Sequence, residues 1–244
     1  MTKAKLKLNW ATHKASKYAC ENWHYSHVIP VGKLVKIGVW ENDKFIGVVI
    51  YGRGANNNLL KPFGLNADEG CELVRIALTT HTTPVSKILA ISLKFLKQKC
   101  PNLRLVVSYS DKDQNHHGGI YQATNWIYTG LKNANTKGAF IINGKKTHPK
   151  SVHSKGVKQT LKDVQRLLDP NATIFYTKGK HRYLMPLDCA MFEQIKILRQ
   201  PYPKREKQAM DTFQISQRRG STDLHAPKLK DSGEIFPTRK ADAC

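Results

Sequence analysis

Strand-like and helix-like segments alternate in the middle of this chain, and their order constrains the fold more than any other feature. Segments 71–78 (CELVRIAL), 103–108 (LRLVVS) and 126–131 (WIYTGL) have the apolar and β-branched content of strands. Segments 85–100 and 118–125, which lie between them, favour helices. Two successive strand–helix–strand units predict neighbouring parallel strands with helices packed on the sheet. The sequence therefore predicts an α/β fold.

Segments on either side extend this architecture. Two β-rich runs, VKIGVW and FIGVVIY, flank the turn-forming sequence Glu41-Asn42-Asp43-Lys44, which is typical of a hairpin. A short helix is expected at 8–20, and Asn143-Gly144 predicts a second hairpin. Further along, we expect a helix at 160–168, a strand at 173–176 and a last strand into which 178–185 leads.

Composition divides the chain into three parts. Residues 1–131 carry the predicted core, and 132–202 form a basic extension that we expect to pack on the core and face the partner. Residues 203–244 hold few large apolar residues among nine Lys or Arg and six Asp or Glu. That composition predicts a poorly ordered tail.

The charge of the chain points to its partner. There are 40 Lys and Arg against 18 Asp and Glu, a net charge of +22 on 244 residues. Such an excess opposes compaction, so it indicates a polyanionic partner, and nucleic acid is the first candidate. Residues 132–182 alone hold twelve basic and two acidic residues, a net charge of +10. An anionic membrane surface is the alternative, but no basic amphipathic helix with a Trp/Leu face, lipidation signal or signal-peptide segment supports it.

The five cysteines are scattered, odd in number and never arranged as Cys-x-x-Cys. This pattern indicates free thiols in a reducing compartment rather than a disulfide framework or a structural zinc site. We therefore expect a soluble, cytoplasmic protein.

Residues 79–87 (TTHTTPVSK) join a predicted strand to the helix that follows it. The start of a helix exposes unpaired N–H groups and a partial positive charge, which suit a pyrophosphate. The alternative is structural, because threonines before a helix can cap it and Pro84 suits a first turn. On the functional interpretation the cofactor-binding residues are Thr82, Thr83, Val85, Ser86 and Lys87.

Two further groups of side chains are candidates for chemistry. His24 and Tyr25, in a loop after a predicted helix, offer an acid–base group and a phenol, and both types of side chain also bind metals. Ser108 and Asp111 follow a predicted central strand, at the edge where α/β sheets bind ligands, and Tyr121 is close in sequence. The alternatives are that Tyr25 belongs to the core and that Asp111 only forms a turn.

The basic extension supplies the candidate nucleic-acid contacts. Lys and Arg neutralise phosphates, and the extension has few carboxylates to balance them. The alternative is a solvated surface, which is the usual fate of a run of charges. The predicted DNA-binding residues are Lys145, Lys146, Lys150, Lys155, Lys158, Lys178, Lys180 and Arg182.

The chain contains, in this order, WHYSH, VKIGVWENDKFIGVVIYGRGANNNLLKPFGL, CELVRIALTTHTTPVSKILAISLKFL, VVSYSD, HHGGIYQATNWIYTG and KGKHRYLMPL. Together these segments, which cover about residues 17–187, resemble the Mom family of phage proteins. That family is a divergent branch of the GNAT-like acyltransferases. The resemblance implies a GNAT-like mixed sheet flanked by helices.

The resemblance also implies an activity. A Mom-like enzyme places an acetamido (carbamoylmethyl) group on the exocyclic amine of adenine in phage DNA, in the host cytoplasm, and so protects that DNA from restriction. It implies an acetyl-CoA-type donor with its pyrophosphate at residues 82–87, and a redox metal such as iron as one means of activating the methyl carbon. The substrate would be double-stranded DNA with a flipped adenine, or single-stranded DNA.

Residue roles follow from the same resemblance. His24, Tyr25 and Asp111 would form the functional cluster, with Asp111 as base or metal ligand and Tyr25 as proton relay. Ser108 and Tyr121 would line the pocket. Two other functions stay open: an ordinary acetyl-CoA-dependent N-acetyltransferase acting on protein or small amines, and a DNA-binding protein without catalysis.

Overall fold

The structure is a computed structural model that describes residues 4–54 and 58–205. Its main feature is a seven-stranded mixed sheet in the order β1-β2-β3-β4-β5-β10-β6. The strands of this sheet are β1 (Leu6–Trp10), β2 (Leu34–Glu41), β3 (Lys44–Gly52), β4 (Gly70–Leu78), β5 (Leu105–Asp111), β6 (Ile127–Lys132) and β10 (Lys180–Pro186). Helices flank the sheet on both faces, which confirms the predicted fold class.

Strand pairing confirms one half of the predicted topology and corrects the other. β4 and β5 are neighbours and parallel, as the first strand–helix–strand unit predicted. β5 and β6 are not neighbours, because β10 lies between them and pairs antiparallel with both. The second expectation was therefore wrong. Its physical reason is that β10 follows β6 by almost 50 residues, and a local pattern carries no information about a strand inserted from so far along the chain.

Four α-helices and a short 3₁₀ turn pack on the sheet. Side chains of β3 alternate between its faces, so Val49 and Tyr51 pack with α2 (Val85–Lys99) while Val48 and Ile50 pack with α1 (His13–Trp23). Beyond β5, the 3₁₀ turn Lys61–Phe63 and α6 (Cys189–Ile195) cover the face opposite α2. The short helix α3 (Gly119–Gln122) lies on the α2 side.

The helix expected at 8–20 is replaced by a strand and a later helix. Leu6, Leu8 and Trp10 alternate with polar residues at the strand period of two, and β1 pairs with β2. α1 then begins after Thr12, whose hydroxyl accepts a hydrogen bond from the Ala15 amide at 3.2 Å. The prediction merged the two elements because the cap lies only two residues after the strand.

A second, three-stranded sheet forms the middle of the basic extension. It has the order β8-β7-β9, with β7 (Lys137–Ile142), β8 (Lys145–Thr147) and β9 (Thr173–Tyr176). Two helices, α4 (Pro149–His153) and α5 (Leu161–Leu167), close a small core beneath it. The hairpin at Asn143-Gly144 is confirmed, and both residues have positive φ, as a tight hairpin turn requires. The division at residue 131 remains a prediction, although β10 of the extension completes the main sheet.

Cysteines and termini complete the description. Cys20, Cys71 and Cys189 are free thiols, as expected. None of the helices in the described part of the chain is long and apolar enough to cross a membrane. The expected tail falls almost entirely on residues 206–244, which lie outside the described residues.

Candidate functional site

The two parallel strands at the centre of the main sheet separate before they end. Their pairing runs from Gly70 opposite Leu105 to Leu73 opposite Ser108, after which β4 continues to Leu78 and β5 to Asp111. Just past the last pair β4 carries one extra residue relative to β3, which is a β-bulge. A bulge increases the local twist and bends the strand. The result is an opening between β4 and β5 at the carboxyl end of β5.

A cavity of about 570 Å³ occupies this opening. His24 and Tyr25 enter it from the loop after α1, Asp111 from the end of β5, and Tyr121 from α3. The fold thus brings together four residues that span nearly 100 positions of sequence. Ser108 lies behind the wall, buried, where its hydroxyl hydrogen-bonds the Tyr121 hydroxyl at 2.8 Å. Ser108 therefore positions Tyr121 and does not face the cavity itself.

His24 is held as a neutral ring with a defined tautomer. Its Nδ1 accepts a hydrogen bond from the Ser26 amide at 3.1 Å and lies 2.8 Å from the Ser26 hydroxyl. A backbone N–H can only donate, so the single proton of the neutral ring resides on Nε2. Burial, and to a smaller extent the nearby Arg75 charge, lower the pKa of His24 to about 4. At neutral pH His24 is therefore a hydrogen-bond donor through Nε2–H.

The protonation state of His24 is directly measurable. In ¹⁵N-histidine NMR of the folded protein we expect the Nε2–H tautomer at neutral pH and a pKa near 4. The variant Arg75→Met should raise this pKa, because it removes a positive charge that disfavours the imidazolium. An Nδ1–H tautomer would contradict the hydrogen bond from the Ser26 amide to Nδ1. A pKa at the ordinary value of 6.5 would contradict the burial of the His24 ring.

Tyr25 lies at the mouth of the cavity as a partly exposed aromatic ring. The residue is 52% exposed, and its ring stands edge-on to His116 with the centroids 5.8 Å apart. Its centroid is 4.3 Å from that of His24. Burial of the hydroxyl end raises the pKa of Tyr25, and the Asp111 charge raises it further. The hydroxyl thus stays protonated near a carboxylate while part of the ring remains open to a partner.

Asp111 combines a structural contact with a place in the cavity. Its Oδ1 accepts from the Asp113 amide at 2.9 Å, which caps the turn Lys112–Gln114, so the turn-forming role is present as well. Its Oδ2 lies 3.8 Å from Nζ of Lys180, which also lines the cavity. The carboxylate therefore lies beside the Lys180 ammonium and lines the cavity, where a bound molecule can reach it.

The donor set does not support the expected iron site. The Asp111 carboxylate is engaged by an amide and an ammonium, and Nδ1 of His24 is engaged by Ser26. Across residues 4–54 and 58–205, no three His, Cys, Asp or Glu side chains are grouped so as to hold a metal ion. The structure therefore gives iron no support at this site.

The loop before α2 does not present its threonine amides to a ligand. The Glu41 carboxylate, from the end of β2, accepts from the Thr82 amide at 2.9 Å, the Thr83 amide at 2.7 Å and the Thr83 hydroxyl at 2.5 Å. Hydrogen bonds from these two threonines lower the pKa of Glu41 to about 2, that of the Thr83 hydroxyl most of all. The threonines do not cap α2 either, since Pro84 is the N-cap residue and makes no side-chain bond.

The remaining residues of the predicted cofactor set form the first turn of α2. Val85, Ser86 and Lys87 begin the helix, and the Lys87 amide bonds the Pro84 carbonyl at 2.9 Å. An acetyl-CoA pyrophosphate placed on Thr82 and Thr83 would meet a carboxylate that already uses their donors. Those two residues therefore do not fit the pyrophosphate of an acetyl-CoA donor.

Most of the predicted DNA-binding residues are exposed on or near the second sheet. Arg182 differs, because its guanidinium lies 5.4 Å from the Phe63 ring centroid and its Nε donates to the Thr129 hydroxyl at 2.8 Å. Lys180 differs too, since it lines the cavity beside Asp111. The exposed residues that remain are Lys145, Lys146, Lys150, Lys155, Lys158 and Lys178.

Comparison with known proteins decides the family. A family model described as the Mom protein family matches residues 5–204. The chain belongs to this family. No curated protein matches it.

Solved structures similar to this Mom-family protein are acyltransferases of low identity. A spermidine N-acetyltransferase from Vibrio cholerae is 11% identical, covers 79% of this chain and 96% of its own, and has a TM-score of 0.43. FeeM, an N-acyl amino acid synthase from uncultured soil microbes, is 8% identical over 75% of this chain and 91% of its own, with a TM-score of 0.42. A Bacillus subtilis acetyltransferase in complex with CoA is 11% identical over 76% of this chain and 100% of its own, with a TM-score of 0.39.

Two residues that sequence reasoning missed complete the cavity of this Mom-family protein. Arg75, in the bulged part of β4, donates through Nη1 to the Val74 carbonyl at 2.7 Å, while its buried Nε has no partner among the described residues. The Ser110 hydroxyl, on a side chain 4% exposed, is also without a partner there. Buried polar atoms normally find partners, so both are available to a bound molecule. The signal for Arg75 was a single arginine within the apolar run CELVRIAL.

Proposed function

We propose that this Mom-family protein is a transferase that modifies adenine in phage DNA, adding an acetamido group to the exocyclic amine in the host cytoplasm. One observation carries the proposal: hydrogen bonds and an ion pair of Asp113 hold the basic second sheet beside the cavity. Asp113, two residues after Asp111, accepts from the Thr177 hydroxyl at 2.7 Å and the Lys178 amide at 2.9 Å. It also lies 3.9 Å from Nζ of Lys146. Lysines that bind phosphates would therefore hold DNA next to the reacting groups.

The depth of the site requires the base to leave the duplex. A cavity between two strands of a sheet cannot admit a stacked base pair, so the substrate is a flipped adenine in double-stranded DNA or a base in single-stranded DNA. Tyr25 offers the partly exposed ring on which such a base can stack. Stacking on an aromatic side chain contributes about 1–3 kcal/mol per base. The position of Tyr25 at the mouth therefore suits capture of the base.

Different side chains around the cavity accept the proton of the amine and donate a hydrogen bond to the transferred group. As the amine nitrogen of adenine forms its bond to the transferred carbon, the Asp111 carboxylate accepts the proton that the amine loses, directly or through the Tyr25 hydroxyl. His24 donates its Nε2–H to an oxygen of the transferred group, and the Arg75 charge stabilises negative charge there. The bond that breaks joins the methylene carbon of a carbamoylmethyl donor to its leaving group, which departs with the electron pair of that bond. The resulting modified base would resist host restriction enzymes.

Mass spectrometry of nucleosides tests this proposal. DNA from cells that express the protein is digested, and deoxyadenosine is expected to gain the mass of an acetamido group in place of one hydrogen. Unmodified DNA together with acetylated protein or amines would instead support an ordinary N-acetyltransferase. No modification of either, with strong salt-dependent DNA binding, would indicate a DNA-binding protein without catalysis.

A further inference from the structure

The loop that joins β4 to α2 already holds an anion that belongs to the protein. Glu41 is 8% exposed and accepts three hydrogen bonds, two from backbone amides and one from a hydroxyl. Backbone amides at the start of a helix are the donors that proteins use for phosphates. Here two amides of the segment before α2 bind a carboxylate that reaches them from the end of β2.

The contact does not leave room for a second anion at the same donors. Each amide has one hydrogen to give, and the Thr83 hydroxyl is also committed to Glu41. The carboxylate stays ionised throughout the neutral range, because its pKa is lowered to about 2. A phosphate brought to this loop would therefore face an ionised carboxylate and lack the donors that normally compensate it.

We propose that this protein gains no affinity from donor phosphates at the loop before α2, because the Glu41 carboxylate takes their place. The donor is then selected by the part that enters the cavity, where Arg75 and Ser110 retain unpartnered polar atoms. Its chemical class is a donor that carries the transferred group on a leaving group and for which a nucleotide pyrophosphate is dispensable. This inference rests on the proposed transferase function.

Acetyl-CoA and acetyl-pantetheine test the inference, because the second compound has the same thioester arm without any phosphate. Their dissociation constants are compared by calorimetry for the wild type, Glu41→Ala and Glu41→Gln. The wild type is expected to bind the two compounds within about threefold of each other. In Glu41→Ala the freed amides should favour acetyl-CoA by at least tenfold, since a bonded phosphate adds affinity of about 1.4 kcal/mol or more. Glu41→Gln keeps the shape of the side chain without its charge and should move in the same direction.

The control is Glu193→Ala, which removes an exposed carboxylate that pairs with Lys196 on the far side of the sheet from α2. It should leave the ratio of the two constants unchanged. A wild-type preference for acetyl-CoA above tenfold would overturn the inference. The inference would also be overturned if both Glu41 variants fold, as judged by circular dichroism, but show the same ratio of the two dissociation constants as the wild type. Failure of the wild type and of both folded variants to bind either compound would overturn it too. Nucleoside mass spectrometry decides the proposed function separately, so failure of one does not imply failure of the other.

Discussion

Replacing Asp111 with Asn is expected to lower adenine modification by at least about 100-fold while DNA binding stays within about twofold. The variant removes the carboxylate that accepts the amine proton, and acid–base groups of this kind contribute about 10²–10⁴-fold to rate. Asn keeps an oxygen for the Asp113 amide, so the turn after β5 is preserved. The measurement is the fraction of modified deoxyadenosine in cellular DNA, with fluorescence anisotropy for DNA binding by the purified protein.

The matched control for this substitution is Asp163→Asn on α5. Asp163 is bonded by Thr160 and Arg166 on the second sheet's side of the molecule, and it does not line the cavity. Modification should remain within about twofold of the wild type. A companion variant, His24→Phe, removes the Nε2–H donor and should also reduce modification strongly. If Asp111→Asn modifies DNA normally, Asp111 is not the base.

The second large effect is expected from the exposed lysines of the extension. Changing Lys145, Lys150, Lys155 and Lys158 together to Gln should weaken DNA binding by about 10- to 1,000-fold at moderate salt. Each lost phosphate contact should reduce the slope of log affinity against log salt by about 0.9. These side chains are exposed, so the substitutions should leave the fold intact. Anisotropy titrations at several salt concentrations measure both quantities.

A control with the same change in net charge separates the effect of where the lysines lie from the effect of the total charge of the protein. Four exposed lysines elsewhere, changed together to Gln, should reduce affinity by less than about threefold through general charge alone. They are Lys14, Lys44, Lys94 and Lys99. Equal effects from the two quadruple variants would contradict a DNA-facing role for the second sheet. A larger effect from the control set would move the interface to the main sheet.

Regular elements with strong local patterns were predictable. α2 was expected at 85–100 and spans Val85–Lys99, because Ile88, Leu89, Leu93 and Leu96 recur at the helical period. β9 was expected at 173–176 and is Thr173–Tyr176. β5 was expected to end at 108 but continues to Asp111, because β10 pairs with it along its whole length and supplies partners for those last residues. Local sequence carries no trace of that pairing.

The candidate site was predictable as residue types but not as an arrangement. His24, Tyr25, Asp111 and Tyr121 were selected from sequence, and the tertiary fold places them around one cavity. Arg75 was missed because its role depends on a bulge in β4, which exists only through the register with β3. Glu41 was missed because it meets Thr82 and Thr83 across 41 residues of sequence.

The sequence by itself determined the α/β class, the central parallel pair of strands and the excess of positive charge in residues 132–182. These features follow from local periodicity and composition, so they can be predicted without knowing which distant residues are in contact. Only the tertiary structure decided that β10 lies between β5 and β6 and that the two central strands separate into a cavity. It also decided which anion the loop before α2 holds. Each of these depends on free energy gained between residues far apart in the chain, where hydrogen bonds and buried surface form only once the whole sheet has assembled.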